Sequence, residues 1–150
     1  MGSSRVIHAE AHTSIRRPVA VVFRWLTDPA LVPLWVTGLV ASQPVGGAEV
    51  RLGARSVEEI SVRGRTITMP AEIVELEDCR VITSRIQTPD GPLLSRFVLE
   101  DLGDACTLTH TLAAEMSDHR LIPSTFIAAG MTRQIRGDLA GLTRLAEAVP

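Results

Sequence analysis

A chain of 150 residues, 45% hydrophobic and 21% charged, has the make-up of an ordinary globular domain and can bury roughly two-thirds of its unfolded surface. Its net charge of −2 gives no electrostatic pull toward nucleic acid or an anionic membrane, and no apolar run approaches the ~20 residues needed to cross a bilayer. All fifteen basic residues are arginine and tyrosine is missing, which excludes a lysine Schiff base, a lysine-bearing phosphate loop and a phenolic proton donor.

No signal peptide is visible, so the expected location is the cytoplasm. Arg5 to Ile15 alternates as a strand, with Ile7, Ala9, Ala11, Thr13 and Ile15 on one face and His8, Glu10, His12 and Ser14 on the other. His-x-Glu-x-His resembles a metal cluster, but on a strand His8 and His12 stand roughly 13 Å apart and cannot share one ion. The expected reading is a solvated face, with no metal and no cofactor. Arg17-Pro18 breaks the strand, and Val19 to Thr27 forms a helix with Val22, Phe23 and Leu26 inward. Asp28-Pro29 ends it. Ala30 to Trp35 reads as a second short helix, kept to a turn or two by Pro33.

Turn signals at Gly46-Gly47, Gly53, Gly64, Glu77-Asp78, Pro89-Asp90-Gly91-Pro92 and Gly103-Asp104 then separate strands near 40–45, 48–52, 55–62, 65–76, 80–88, 93–101 and 105–115. This spacing predicts an antiparallel meander. Cys79 and Cys106 have no metal-like or redox spacing and are expected as free thiols. Met116 to Pro123 connects to the longest periodic stretch, Ser124 to Val149. There Ile127, Met131, Ile135, Leu139, Leu142, Leu145, Ala146 and Val149 form one apolar stripe, opposite Arg133, Arg136, Ala140, Arg144 and Glu147. Gly130, Gly137 and Gly141 share one edge of the stripe, which suggests close backbone approach or room for a ligand. Asp138 projects into the stripe one turn after Gln134, where a carboxylate must be paired or face a wet cavity.

The expected architecture is α+β and a single domain over 1–150: a curved antiparallel sheet wrapped around the long C-terminal helix, with two short helices after the first strand. Strong curling of the sheet would open a cavity between sheet and helix.

The string Ile15-Arg-Arg-Pro18, Val22-Phe23, WLTDP from Trp25 to Pro29 and Leu34-Trp35 resembles the opening of the polyketide cyclase/dehydrase group of the START-like (SRPBCC, helix-grip) superfamily. Gly53, AEIVELEDCRVIT from Ala71 to Thr83, RFVLED from Arg96 to Asp101 and CTLTHTL from Cys106 to Leu112 look like its later strands. Leu139, Leu142 and Leu145 look like its closing helix. The resemblance covers nearly the whole chain. It implies the helix-grip fold and a deep apolar cavity, while no catalytic residue carries over by motif.

Alternation then selects the lining. Phe97 and Leu99 share a strand face, as do Leu108, His110 and Leu112, so His110 points inward where burial lowers its pKa. Glu58 shares a face with Ile60 and Val62. Met69, with Ile67, Ala71 and Ile73, and Met131 are adaptable wall residues. The expected site combines His110 and Asp138 as proton-moving groups with Trp35, Glu58, Met69, Phe97, Leu108, Met131, Gln134 and Ile135 as ligand contacts. Few polar groups in an apolar cavity suit a small hydrophobic molecule. The expected function is cyclisation, dehydration or isomerisation of a polyketide-like intermediate by a monomer or homodimer. A non-catalytic lipid or metabolite carrier and a protein-interaction module are the alternatives.

Overall fold

The computed structural model describes residues 4–117 and 122–148. In chain order these are β1 (Ser4–Ile15), α1 (Val19–Thr27), one 3-10 turn (Val32–Leu34), β2 (Leu39–Val45), β3 (Arg55–Val62), β4 (Arg65–Glu77), β5 (Val81–Thr88), β6 (Gly91–Asp101), β7 (Cys106–Ser117) and α2 (Ser124–Ala148). The seven strands form one antiparallel sheet in the order β1-β7-β6-β5-β4-β3-β2. Thus β2 to β7 are a meander of hairpins, and the first strand returns to pair with the last. The register shifts between Leu39 and Ala41 and between Ile73 and Glu75, and such irregularities sharpen the local bend of a sheet.

Two expected elements differ. No strand forms at 48–52: Val50 and Leu52 alternate locally but find no partner strand, and both are exposed. The second short helix shrinks to a single 3-10 turn, because Pro33 sits inside it. Val149, expected on the helix stripe, and residues 118–121 of the last connection lie outside the described residues.

The long helix lies along β1 from end to end. Arg5 donates to Ser124 Oγ and to the Ile122 carbonyl at 3.1 and 2.7 Å. Thr13 and Thr143 hydroxyls meet at 3.3 Å, and the Arg16 backbone N–H donates to Glu147 Oε2 at 2.8 Å. The lengths match: 25 helical residues rise about 37 Å, and 12 extended residues about 40 Å. Ile135, Leu139, Leu142 and Ala146 are buried while Arg133, Arg136, Ala140 and Arg144 are exposed, as the periodicity predicts. The glycines, however, do not mark close approach. A Cβ added at Gly130 or Gly137 meets nothing within 4 Å, and at Gly141 only the Arg144 guanidinium at 3.8 Å. That helix edge is open.

Helix and sheet pack most densely at one end. Ile15, Val22, Cys106, Leu108, Leu139, Leu142 and Ala146 are essentially without solvent contact, and α1 seals this end with Phe23, Trp25 and Leu26. Burying Trp25 adds to the three inward residues expected on α1. Toward the other end Ile7 of β1 is buried, while Ile86, Leu93, Phe97, Leu112 and Met131 are half-buried.

Candidate functional site

Register places one continuous row set on the concave face beneath α2. Phe97 opposes His110 and Ile82, Ser95 opposes Leu112 and Ser84, and Leu93 opposes Ala114 and Ile86. Directly opposed residues share a face. So Ser84, Ile86, Leu93, Ser95, Phe97 and Leu112 form one half-buried patch, bounded below by the fully buried Leu99 and Leu108. The helix–sheet interface is therefore tightest at the α1 end, and over β5 to β7 it leaves a half-covered apolar strip, a shallow trough, toward the other.

His110 stands at the boundary of the closed and open halves. Its ring stacks on Phe97, with centroids 3.9 Å apart and planes 13° from parallel. Trp35 meets Phe97 edge-on at 5.9 Å and 78°, and anchors its own indole N–H on the Trp25 carbonyl at 3.0 Å. His110 Nε2 lies 2.8 Å from Ser95 Oγ. Its Nδ1 is buried and has no hydrogen-bond partner among the described residues. Burial without a countercharge pulls the imidazole down to about 4, so the ring is neutral at physiological pH. A neutral ring has one N–H. Placing it on Nδ1 would bury an unpaired donor, which is costlier than a bare acceptor. The proton therefore belongs on Nε2, donating to Ser95 Oγ.

The structure disposes the expected residues unevenly. Trp35, Phe97 and His110 form one connected group, with Met131 half-buried on α2 and Met69 half-buried on β4. Glu58 is on the concave face, as expected, and accepts from the Ser42 and Ser56 hydroxyls at 3.0 and 2.6 Å. It lies four strands from His110, so the two are not one catalytic pair. Leu108 and Ile135 are core rather than lining: both are buried within the closed half. Gln134 is exposed, because it falls on the open glycine edge of α2. Ser84 and Ser95 were missed. Both sit in otherwise apolar alternation (Ile82-Ser84-Ile86 and Leu93-Ser95-Phe97), and that interruption was the available signal.

Asp138 is buried, but its Oδ1 is engaged by Thr37, from the backbone N–H at 3.1 Å and the hydroxyl at 2.5 Å. The carboxylate thus ties α2 to the segment that carries Trp35, two residues earlier. It holds the wall of the trough in place, and the geometry points away from proton transfer. Asp138→Ala should cost about 2 kcal/mol, since it removes both hydrogen bonds that tie Thr37 to α2. Asp138→Asn, which keeps an acceptor, should cost less than half as much. Urea denaturation measures both.

On the convex face, His8, Glu10 and His12 are exposed, and among the described residues no cluster of metal-ligating side chains occurs. Arg96 points outward as expected and donates to Glu75 at 2.9 Å. With the Thr83 hydroxyl it holds the Glu75 carboxyl below its ordinary pKa. Two concavities lie away from His110, beside α1 and the 46–54 loop. The larger, about 560 Å³, is lined by Phe23, Arg24, Val50, Leu76 and Cys79 among others. The smaller, about 80 Å³, includes Ser42, Ser56 and Ile73. Both thiols are free, and burial raises their pKa values, so neither is an activated nucleophile.

A curved seven-stranded antiparallel sheet holding one long C-terminal helix over a partly uncovered apolar face defines a helix-grip protein. The sequence matches the polyketide cyclase/dehydrase and lipid transport family over residues 6–147, and the chain belongs to that family. No curated protein matches it. Similar solved structures include protein SA2116 from Staphylococcus aureus, with TM-score 0.80 and 9% identity over 97% of this chain and 96% of that one. Ara h 8.0201 aligns with TM-score 0.74 and 12% identity over 96% and 99% of the two chains. The di-domain ARO/CYC BexL of the BE-7585A biosynthetic pathway aligns with TM-score 0.75 and 17% identity, over 95% of this chain and 48% of that one. At these identities the likeness is one of fold. No helix among the described residues is long and apolar enough to cross a membrane.

Proposed function

We propose that this protein binds a small hydrophobic molecule in the open half of the trough and catalyses cyclisation, dehydration or isomerisation of a polyketide-like intermediate. The observation that carries the reading is His110: a buried neutral imidazole, stacked on Phe97 and bonded to Ser95, placed where the packed core gives way to uncovered apolar surface. Family membership and the fold likeness to a di-domain ARO/CYC support it. The apolar walls bind the body of the guest. A flexible chain confined between α2 and the sheet is held near a reactive conformation, and such pre-organisation supplies much of the rate in ring closure. His110 reaches the guest through Ser95, whose hydroxyl faces the trough. Asp138 keeps its positioning part.

A carrier is the second reading, favoured by the same walls and the scarcity of ionisable groups among them. Native mass spectrometry of freshly purified protein separates the two. A non-covalent apolar guest is expected, and Leu112→Arg, which plants a charge in the trough, should abolish it. On incubation with a linear poly-β-ketone, release of a product lighter by one water supports catalysis. Recovery of the ketone unchanged supports the carrier, and absence of any guest or uptake removes both readings.

A further inference from the structure

From the row that crosses β5, β6 and β7 beneath the helix, we infer that the trough recognises a planar ligand bearing two oxygens one strand spacing apart, of the meta-dioxygenated aromatic or cyclic 1,3-diketone class. This deepens the function proposed above and rests on it.

Away from the strand ends, where Thr88 and Asp101 fall on the same face, the concave face of β5 to β7 is apolar except at Ser84, Ser95 and His110, and these three are contiguous. Ser84 is the direct cross-strand partner of Ser95, and Ser95 Oγ is 2.8 Å from His110 Nε2. Both serines are half-buried, so their hydroxyls border the uncovered patch. Ser95 has a partner in the fold, the buried His110 N–H, but a hydroxyl on an apolar face costs free energy unless bonded, and at position 84 an alanine would pack as well.

Spacing and polarity define the guest. Directly opposed side chains on neighbouring strands stand about 4.8 Å apart. Two oxygens meta on a six-membered ring are separated by about that same strand spacing, whereas ortho oxygens are far closer. Because His110 donates from Nε2 into Ser95 Oγ, the Ser95 O–H is turned outward as a donor. It therefore suits a carbonyl, enolate or phenol oxygen. His110 is a positioning residue: it fixes the direction of that O–H and strengthens it through the chain of bonds. Phe97, half-buried beside the serines, is the aromatic neighbour for such a ring. A hydroxyl pair so aimed also stabilises the negative charge that develops on oxygen when the carbon next to a carbonyl loses a proton.

Three naphthalenes of equal apolar body test this by isothermal titration calorimetry: 1,3-dihydroxynaphthalene, 2,3-dihydroxynaphthalene and 2-naphthol. The 1,3-isomer should bind about tenfold more tightly than 2-naphthol, as one added hydrogen bond allows, and the 2,3-isomer should gain little. Ser84→Ala should erase the 1,3 preference while leaving 2-naphthol affinity unchanged. His110→Leu should erase it too, and His110→Gln, whose amide can still donate to Ser95, should restore it. Equal binding of all three compounds, or an unchanged preference in Ser84→Ala, overturns the oxygen-spacing inference and leaves an apolar trough standing. Failure of all three to bind overturns the trough as a ligand site and the inference with it.

Discussion

Between pH 7 and pH 4 the protein should lose about 3 kcal/mol of folding stability through His110 alone. In the unfolded chain the imidazole takes up its proton near 6.5, but in the fold only near about 4, because burial disfavours the charged ring. Within that window the unfolded state binds the extra proton. Stability is therefore full above the unfolded value, falls as pH falls, and levels off once the folded ring also protonates. Each pH unit of the window is worth about 1.4 kcal/mol, which gives the total. Urea denaturation at pH 7 and at pH 4.5 should show a much shallower loss in His110→Gln than in the parent. Glu75 and Glu147, whose pKa values are lowered by Arg96 and by Arg16, respectively, lose their contributions at still lower pH, and do so in both proteins. Parallel losses in parent and variant would mean that His110 is hydrated and titrates freely, which would also remove the stacked, dry imidazole from the proposed site.

Gly91→Ala should be at least as damaging, at about 3 kcal/mol or more. Gly91 opens β6 with φ of +138°, a conformation that side chains rarely adopt, and a Cβ there would sit 2.6 Å from the Glu115 carbonyl oxygen on β7. The obstacle is backbone, so no rotamer change relieves it. Either the two strand ends part or the turn refolds. Because Leu93 and Ala114 are cross-strand partners just inside that point, parting the strands also widens the open end of the trough. Chemical denaturation measures the stability. By contrast Gly137, on the open edge of α2, has room for a methyl. The two glycines look alike in the sequence and differ only in what the fold brings near them.

That contrast marks how far the sequence could be read. Period-two alternation placed the inward faces of β1, β6 and β7, and the 3.6-residue period placed Ile135, Leu139 and Leu142 correctly, because each pattern reports which side of its own element is buried. It could not report how much of that side is covered. Leu108 and Phe97 occupy the same face of neighbouring strands, yet one is core and the other borders the open patch. The difference comes from where α1 and the helix close over the curving sheet. Local pattern also failed at Val50 and Leu52, where alternation without a partner strand makes no ladder. The partner of Asp138 was beyond reach for another reason: Thr37 is 101 residues away in the chain, in a segment with no periodicity. His110 was legible because a histidine in strict register with two leucines must share their surroundings. Ser84 and Ser95 carried the same registration signal in a quieter form.

The edge-on contact of Trp35 with Phe97 gives the protein an intrinsic optical gauge. With tyrosine missing from the sequence, ultraviolet emission comes from two indoles alone, Trp25 and Trp35. Trp25 is sealed in the α1 end of the core, whereas Trp35 touches the ring that floors the trough. Binding of the proposed guest should therefore change the quantum yield of one chromophore on the unlabelled chain, with the other as a constant background.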